Sequence, residues 1–214
     1  MFGRLRLPPT VVILAPNHTG ICRSPGASLY QQGAFETPLG PVPVETAFSD
    51  ALLRASDLVA HDPAAHQFEH AIEVELPFIV TRAAASAIVP IVIAWNDWAR
   101  TVAFADALVS VVSSWPTDVL LLASSDMTHY DSAAEAEIKD RAALEAIAAL
   151  DGQALLETCA RRRITMCGRV PAAAALDAAR RLGASKAELV DYRHSGEVTG
   201  EHSSVVSYAG VVIA

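Results

Sequence analysis

Two segments of the sequence place a histidine shortly after an apolar run. His18 follows residues 11–15, and His129 follows residues 119–123. Five-residue apolar runs with β-branched members, bounded by Pro/Asn or Ser/Asp, predict strands that are buried on both faces. Ligands of open α/β sheets bind beyond the carboxyl ends of such strands. We therefore expect both histidines at one crevice, with His18 as a metal ligand or a catalytic base.

Asp126 and His129 are spaced D-x-x-H, just before a helix predicted to begin near Ala133. At this spacing both side chains can face one cavity. They could act as a base and its orienting residue or as metal ligands, or Asp126 could simply cap the helix. Tyr130 adds a hydroxyl group at the same place.

Cys167 lies just before a predicted helix, because Pro171 suits the first turn of a helix. A helix N-terminus favours the thiolate, and Arg163 and Arg169 would add to this effect. Such a thiolate is a soft metal ligand or a nucleophile, and the alternative is an inert buried thiol. The inert reading suits Cys159 better, because that residue lies within an Ala/Leu-rich helical pattern.

The segment of residues 66–78 is dense in ionisable groups. If it is helical, four-residue spacing puts His66 beside His70 and Glu69 beside Glu73. An H-x-x-E pair can bind a metal, although a solvated helix start explains the same residues. Pro77 is expected to kink or restart the helix.

Composition limits the classes of protein to which the chain can belong. It has 214 residues, 52% of them hydrophobic, with a mean hydropathy of +0.31, a net charge of −8 and a pI near 5.3. The length suits one α/β domain. The acidic balance argues against a nucleic-acid partner, and no apolar run approaches the roughly 18 residues that cross a membrane.

The cysteines and the first residues point to the cytoplasm. There are three cysteines and no C-x-x-C pair, which suits neither a disulfide framework nor a zinc knuckle. The apolar run that follows Arg4 and Arg6 is too short for a signal peptide.

Strand-like and helical patterns alternate along the chain. Helices are predicted at 45–55, 71–85, 100–112, 133–150, 152–161 and 170–182, and further strands at 87–92, 187–192 and 205–213. This order predicts an α/β fold with a mostly parallel central sheet covered on both faces. Residues 19–44, rich in Gly, Pro and Ser, are expected to form a functional loop or to contain a small hairpin.

In combination, these motifs resemble the Memo family (mediator of cell motility), whose bacterial members are called AmmeMemoRadiSam system protein B. The matching blocks are residues 13–18 (ILAPNH), 36–40 (ETPLG), 69–78 (EHAIEVELPF), 124–130 (SSDMTHY), 166–169 (MCGR) and 192–209. They occur in family order across nearly the whole chain.

The resemblance implies a three-layer α/β/α sandwich, shared with class III extradiol dioxygenases, which are non-haem iron enzymes that open catechol rings. It places His18 on a metal-ligand histidine and Cys167 on a cysteine that replaces the dioxygenase carboxylate. Asp126 and His129 fall on the polar pair that lines the cavity. His70 matches a motif residue and is grouped with that pair as a catalytic candidate.

The chain departs from the family pattern at its start. Family members carry an upstream strand that ends in a Pro-His-Ala-Gly motif and supplies a further histidine ligand. Residues 1–214 are expected to form one Memo-like domain that lacks this strand. We therefore expect an incomplete ligand set and a sheet edge that is open or covered by a partner chain.

The resulting functional expectation is a dioxygenase-like crevice that binds Fe(II) or Cu, with Zn as the third choice. One alternative is a non-catalytic module that binds a peptide or protein. Another is a metal-free enzyme with Cys167 as nucleophile and His18 or His129 as base. The expected partners are a small-molecule or peptide ligand and further copies of the chain, with no nucleic acid and no membrane.

Overall fold

The computed structural model describes residues 1–22, 26–83 and 85–214. These residues form ten β-strands and seven α-helices. The strands are β1 (Thr10–Pro16), β2 (Ala27–Leu29), β3 (Ala34–Phe35), β4 (Val42–Pro43), β5 (Val59–His61), β6 (Ala87–Ile93), β7 (Val119–Ala123), β8 (His129–Asp131), β9 (Ala187–His194) and β10 (Val205–Ile213). The helices are α1 (Thr46–Ala55), α2 (Leu76–Arg82), α3 (Trp98–Ser114), α4 (Ala133–Ala148), α5 (Gly152–Arg162), α6 (Arg169–Arg181) and α7 (Gly196–Thr199).

The central sheet has five strands in the order β5-β2-β6-β1-β7. Strands β6, β1 and β7 are parallel, whereas β2 runs antiparallel to β6. Leu14 in β1 is in register with Ile91 of β6 and Ala123 of β7. The carboxyl ends of these three strands therefore meet at one edge of the sheet, as the sequence predicts.

Both faces of β1 are buried, which explains its unbroken apolar run. Val12 and Leu14 pack on one side in a cluster that includes Phe48 of α1 and Phe104 of α3. Val11 and Ile13 belong to the opposite cluster, together with Ile72, Leu76 and Ile79. Helices thus cover the sheet on both sides, and the expected three-layer α/β/α sandwich is confirmed.

The two C-terminal strands form where the sequence predicts them, but they belong to a separate sheet. Strand β10 pairs antiparallel with β9 and with the short β8. Only about ten residues connect β9 to β10, which is enough for an antiparallel return and too few for the usual helical crossover between parallel strands. Helix α4 packs against this sheet.

The helix predicted at 71–85 is shorter than expected. A single 3₁₀ turn occupies Glu73–Glu75, and α2 follows with Pro77 in its first turn. Proline is favoured there because the first amides of a helix have no intrahelical acceptor. Pro77 therefore starts a helix instead of kinking one.

Strand β7 lies at an edge of the central sheet. Among the described residues β1 is its only strand partner, and most of its side chains are only half-buried, contrary to the expectation of burial on both faces. A cavity of about 190 Å³ runs beside it, lined by residues of β7, α6 and β10 and by Met1 and Leu5. In the described part of the chain, β7 therefore leaves one edge of the central sheet without a strand partner.

The small hairpin anticipated within residues 19–44 is present as β3 and β4. Residues 23–25 of that stretch lie outside the described residues. None of the helices in the described part of the chain has both the length and the apolar character needed to span a bilayer.

Candidate functional site

His18 follows β1 and is held by a buried carboxylate. Its backbone N–H donates to Glu69 Oε2 at 2.6 Å, and its ring Nδ1 lies 2.8 Å from Glu69 Oε1. The Ala71 N–H also donates to Glu69 Oε1, at 3.0 Å. Glu69 is 3% exposed, and these contacts satisfy a carboxylate that would otherwise be costly to bury. With Nδ1 engaged, Nε2 is the ring nitrogen of His18 left for a ligand.

Glu69 is held in its ionised form. Burial acts to raise its pKa, but the hydrogen bonds from His18 and Ala71 outweigh burial, and the pKa of Glu69 is lowered overall. The exposed His70 stacks on His18 with ring centroids 4.7 Å apart, and its Nδ1 lies 3.5 Å from Glu69 Oε1. Ligand atoms of His18, Glu69 and His70 all lie within 4.8 Å of one another, and we call these residues the histidine group.

Asp126, His129 and Cys167 form a second group of ligand atoms within 4.8 Å of one another. We call it the cysteine group. Asp126 follows β7, and Cys167 comes just before α6. The backbone N–H of Asp126 donates to Cys167 Sγ at 3.1 Å, and His129 Nε2 lies 3.6 Å from Asp126 Oδ2. The structure thus brings together the three residues that the sequence places at the end of β7 and the start of α6.

A glycine allows the two segments of the cysteine group to approach. The N–H of Gly168 donates to Ser125 Oγ at 2.9 Å, and Ser125 Oγ donates to the carbonyl oxygen of Asp126 at 2.7 Å. A Cβ atom at position 168 would lie 2.3 Å from the carbonyl oxygen of Ser124. Only glycine leaves room for the backbone here.

Asp140 of α4 anchors the loop that carries Asp126 and His129. This fully buried carboxylate accepts hydrogen bonds from the N–H and Oγ of Thr128, from Tyr192 Oη at 2.8 Å and from Ser207 Oγ. Burial, together with the adjacent carboxylate of Asp140, raises the pKa of Tyr192, so its hydroxyl stays a donor. Sequence reasoning missed Asp140, although it falls on the buried stripe of α4.

The thiol of Cys167 differs from the expectation of a favoured thiolate. Burial raises its pKa, and the negative charge of Asp126 acts in the same direction. Hydrogen bonds from the Asp126 N–H, Ser125 and the Gly168 N–H act to lower the pKa, but desolvation outweighs them. In the same group, Nδ1 of His129 is buried and has no hydrogen-bond partner within the described part of the chain.

Glu75 belongs to the ionisable segment 66–78, but the sequence did not single it out as a site residue. Burial raises the pKa of its carboxyl group, a hydrogen bond with Ser124 opposes this, and the nearby charge of Asp126 adds to the rise. Glu75 also lines the cavity beside β7. It brings a carboxyl group with a raised pKa close to the cysteine group.

His18 and Cys167 belong to different groups. In residues 1–22, 26–83 and 85–214, no set of three ligand atoms within 4.8 Å of one another contains both. The two groups nevertheless follow hydrogen-bonded neighbours, β1 and β7, and open on the same edge of the sheet. His70 lies with His18, whereas Asp126 and His129 lie with Cys167.

Comparison with known proteins agrees with this architecture. The family model described as "Memo-like protein" matches residues 3–212. A MEMO1 family protein of Methanopyrus kandleri is 39% identical over 96% of this chain and 72% of the relative. Another, from Methanothermobacter thermautotrophicus, is 40% identical over 95% of this chain and 73% of the relative. A third, from Aquifex aeolicus, is 37% identical over 99% of this chain and 78% of the relative. The chain therefore belongs to the Memo-like protein family.

Proposed function

We propose that this Memo-family protein binds a redox-active transition metal, iron or copper, in the crevice beyond β1 and β7. The cysteine group supplies the central donors, Cys167, His129 and Asp126. His18, presented by the neighbouring strand and oriented by Glu69, is the further donor that the family resemblance implies. The observation that carries the proposal is the convergence of one sulfur, one imidazole and one carboxylate within 4.8 Å.

The chemistry of the donors fits such a metal. Thiolate, imidazole and carboxylate together suit iron, copper or zinc, with the thiolate shifting preference towards the softer ions. The imidazole of His129 turns its Nε2 towards Asp126, with 3.6 Å between Nε2 and Oδ2, so both donors face the same space. When bound, iron or copper would supply redox or oxygen chemistry.

The raised pKa of Cys167 favours this reading over a metal-free cysteine enzyme. A free nucleophile needs its thiolate near neutral pH, and here both burial and Asp126 oppose it. A metal ion deprotonates a coordinating thiol outright, so a buried thiol is compatible with metal binding. With Asp126 and His129 engaged as donors, the carboxyl group of Glu75 would handle protons or contact the ligand beside the metal.

Metal content of purified variants tests the proposal. Protein is loaded anaerobically with Fe(II) or Cu(I), desalted and analysed for bound metal. We expect one ion per chain in the wild type, and its loss in Cys167→Ala and His129→Ala. Cys159→Ala is the matched control, because that buried cysteine lies outside both groups and should leave the metal in place.

His18→Ala defines the ligand set in the same experiment. Loss of metal adds His18 to the donors, and retention restricts them to the cysteine group. Equal metal content in the wild type, Cys167→Ala and His129→Ala would contradict the proposal.

The cysteines support a cytoplasmic location, which we also propose. All three lie in the described part of the chain and form no disulfide. A chain with an odd number of unbridged thiols is typical of a reducing compartment.

A further inference from the structure

A separate cavity opens at the carboxyl ends of β1 and β6, beside the cysteine group. Its volume is about 170 Å³. Asn17 and Asn96 from the strand-end loops line it together with Cys167 and Arg169 from the start of α6, and Trp95 forms part of its wall. None of the described residues that line it is acidic. Its polar lining thus carries one fixed positive charge and no fixed negative charge.

The guanidinium group of Arg169 has only neutral partners. Its Nε donates to Asn96 Oδ1 at 3.2 Å, and its Nη1 donates to the carbonyl oxygen of Met166 at 3.4 Å. Within residues 1–22, 26–83 and 85–214, no carboxylate is recorded within 4.0 Å of it, whereas Arg181 and Arg193 are paired with acids at 2.9 and 2.8 Å. Arg169 is therefore a half-buried cation without a counter-charge in the described part of the chain.

Other arginines in the described part of the chain also have no acidic partner, but they are exposed, whereas Arg169 is half-buried. With a net charge of −8, the chain has more carboxylates than cations, so an arginine without an acidic neighbour does not reflect a general shortage of acids. Guanidinium groups bind carboxylate and phosphate with paired, charge-assisted hydrogen bonds. An anion of this kind would supply the negative charge that Arg169 lacks among its neighbours.

We propose that this cavity is a subsite for the oxyanion group, carboxylate or phosphate, of a small ligand. This inference rests on the proposed function, because it takes the cysteine group as the place where the ligand reacts. Cys167 lines the same cavity two residues before Arg169, so an anion bound by Arg169 would hold the remainder of its molecule next to the cysteine group. The ligand class is thus a small organic acid or phosphate ester.

Calorimetric titration with inorganic phosphate and with benzoate tests the subsite and distinguishes the two anions. Each titration uses the protein as purified and again after chelation, at constant ionic strength. We expect one site for at least one anion in both preparations, at least tenfold weaker in Arg169→Gln and partly restored in Arg169→Lys. Arg162→Gln is the charge-matched control, because Arg162 is exposed at the end of α5 and does not line this cavity; it should bind as the wild type does.

Three outcomes would overturn the subsite: neither anion binds the wild type, Arg169→Gln binds both as the wild type does, or chelation abolishes binding. The last would place the anion on the metal. Circular dichroism verifies that the variants are folded, and Arg169→Lys provides a readout if Arg169→Gln is not. Metal content measured on the same samples separates the two proposals, because Arg169→Gln should retain its metal whether or not the anion binds.

Discussion

At the scale of single residues, the candidate site depends on how two histidines are held. His18 gains its orientation from Glu69, which contacts both its backbone N–H and its ring. His129 is held through its backbone N–H, which donates to Thr165 Oγ1 at 2.7 Å, and its ring faces Asp126. For His18 the carboxylate hydrogen-bonded to Nδ1 can fix the tautomer, which prepares the imidazole for a metal or a proton. Asp126 lies 3.6 Å from Nε2 of His129, so the two are close without a hydrogen bond.

Glu69→Gln tests the orientation of His18. The amide can replace only one carboxylate oxygen as acceptor, so at least one donor loses its partner in a buried place. We expect the free energy of unfolding to fall by about 1–3 kcal/mol. If His18 is a donor, metal affinity should also fall by about 10–100-fold.

Chemical unfolding and metal titration provide the two readouts for Glu69→Gln. Glu73→Gln is the control, because Glu73 is exposed in the adjacent 3₁₀ turn and should change stability by less than about 0.5 kcal/mol. Equal stability of the two variants would show that the contacts of Glu69 do not hold His18.

His66 makes stability depend on pH independently of the metal site. It is 6% exposed, its Nε2 lies 3.0 Å from the carbonyl oxygen of Ser28, and burial lowers its pKa from 6.5 to about 4. In the unfolded chain His66 therefore binds a proton as the pH falls below 6.5, whereas in the folded chain it does so only near pH 4. The contribution of neutral His66 is fully present above pH 6.5 and is lost as the pH falls towards 4, with about 2 kcal/mol lost at pH 5.

Urea unfolding at pH 7.5 and pH 5 measures this effect. His66→Gln keeps a side-chain donor but cannot titrate, so it isolates the histidine. We expect the wild type to lose about 2 kcal/mol more than His66→Gln between the two pH values. Equal losses would rule out His66 as the titrating group.

The site residues that could be predicted from the sequence differ from the others in what brings them to the site. His18, Asp126 and His129 follow apolar strands, and that local pattern is visible in the sequence. Glu69 was named from the sequence only for its H-x-x-E spacing, and Asp140 was missed. Both act through contacts with residues distant in sequence, and no local pattern reports these partners. A carboxylate on the apolar stripe of α4 was the available signal for Asp140.

At the scale of elements, Asp140 connects three parts of the chain. From α4 it bonds to Thr128 in the loop before β8, to Tyr192 of β9 and to Ser207 of β10. The antiparallel sheet and the loop that carries Asp126 and His129 are thereby fixed to the same helix. The position of the cysteine group is consequently a property of this packing as well as of the strand ends.

Asp140→Asn tests this anchor. The amide nitrogen cannot accept a hydrogen bond, so buried donors lose their partner, and we expect a loss of about 3 kcal/mol in the free energy of unfolding. Guanidinium unfolding measures it, with Glu137→Gln as the control on the same helix. Glu137 pairs with Arg141 at the surface, and breaking that pair should cost less than about 1 kcal/mol. A change no larger than that of the control would show that Asp140 does not anchor the loop.

Elements with a long, regular pattern could be predicted from the sequence. Strands β7 and β10 have the predicted bounds, and α4, α5 and α6 lie within two residues of theirs. Strands β2, β5 and β8 were missed, because three residues are too few to show a period and their pairing is set by distant strands. The mostly parallel central sheet is as predicted, with β2 as its antiparallel member, whereas β9 and β10 form a separate antiparallel sheet because their connection is short.

At the scale of the whole molecule, the α/β/α sandwich brings two groups of potential ligands to one edge of the sheet. The parallel strands β1, β6 and β7 determine this, because their carboxyl ends are in register. The cysteine group, the histidine group and the cavity of Arg169 all open there. A metal, a carboxylate-oriented imidazole and an anion subsite would together form one binding crevice for a small acidic ligand.

The absorption spectrum of the cobalt(II) form tests the central claim, metal binding through Cys167, most directly. A thiolate bound to cobalt gives a charge-transfer band in the near ultraviolet, which reports the metal–sulfur bond itself. We predict that the band grows to one equivalent of cobalt in the wild type and in Cys159→Ser and is absent in Cys167→Ser. A wild-type protein without the band, or a Cys167→Ser variant with the same band, would contradict the account.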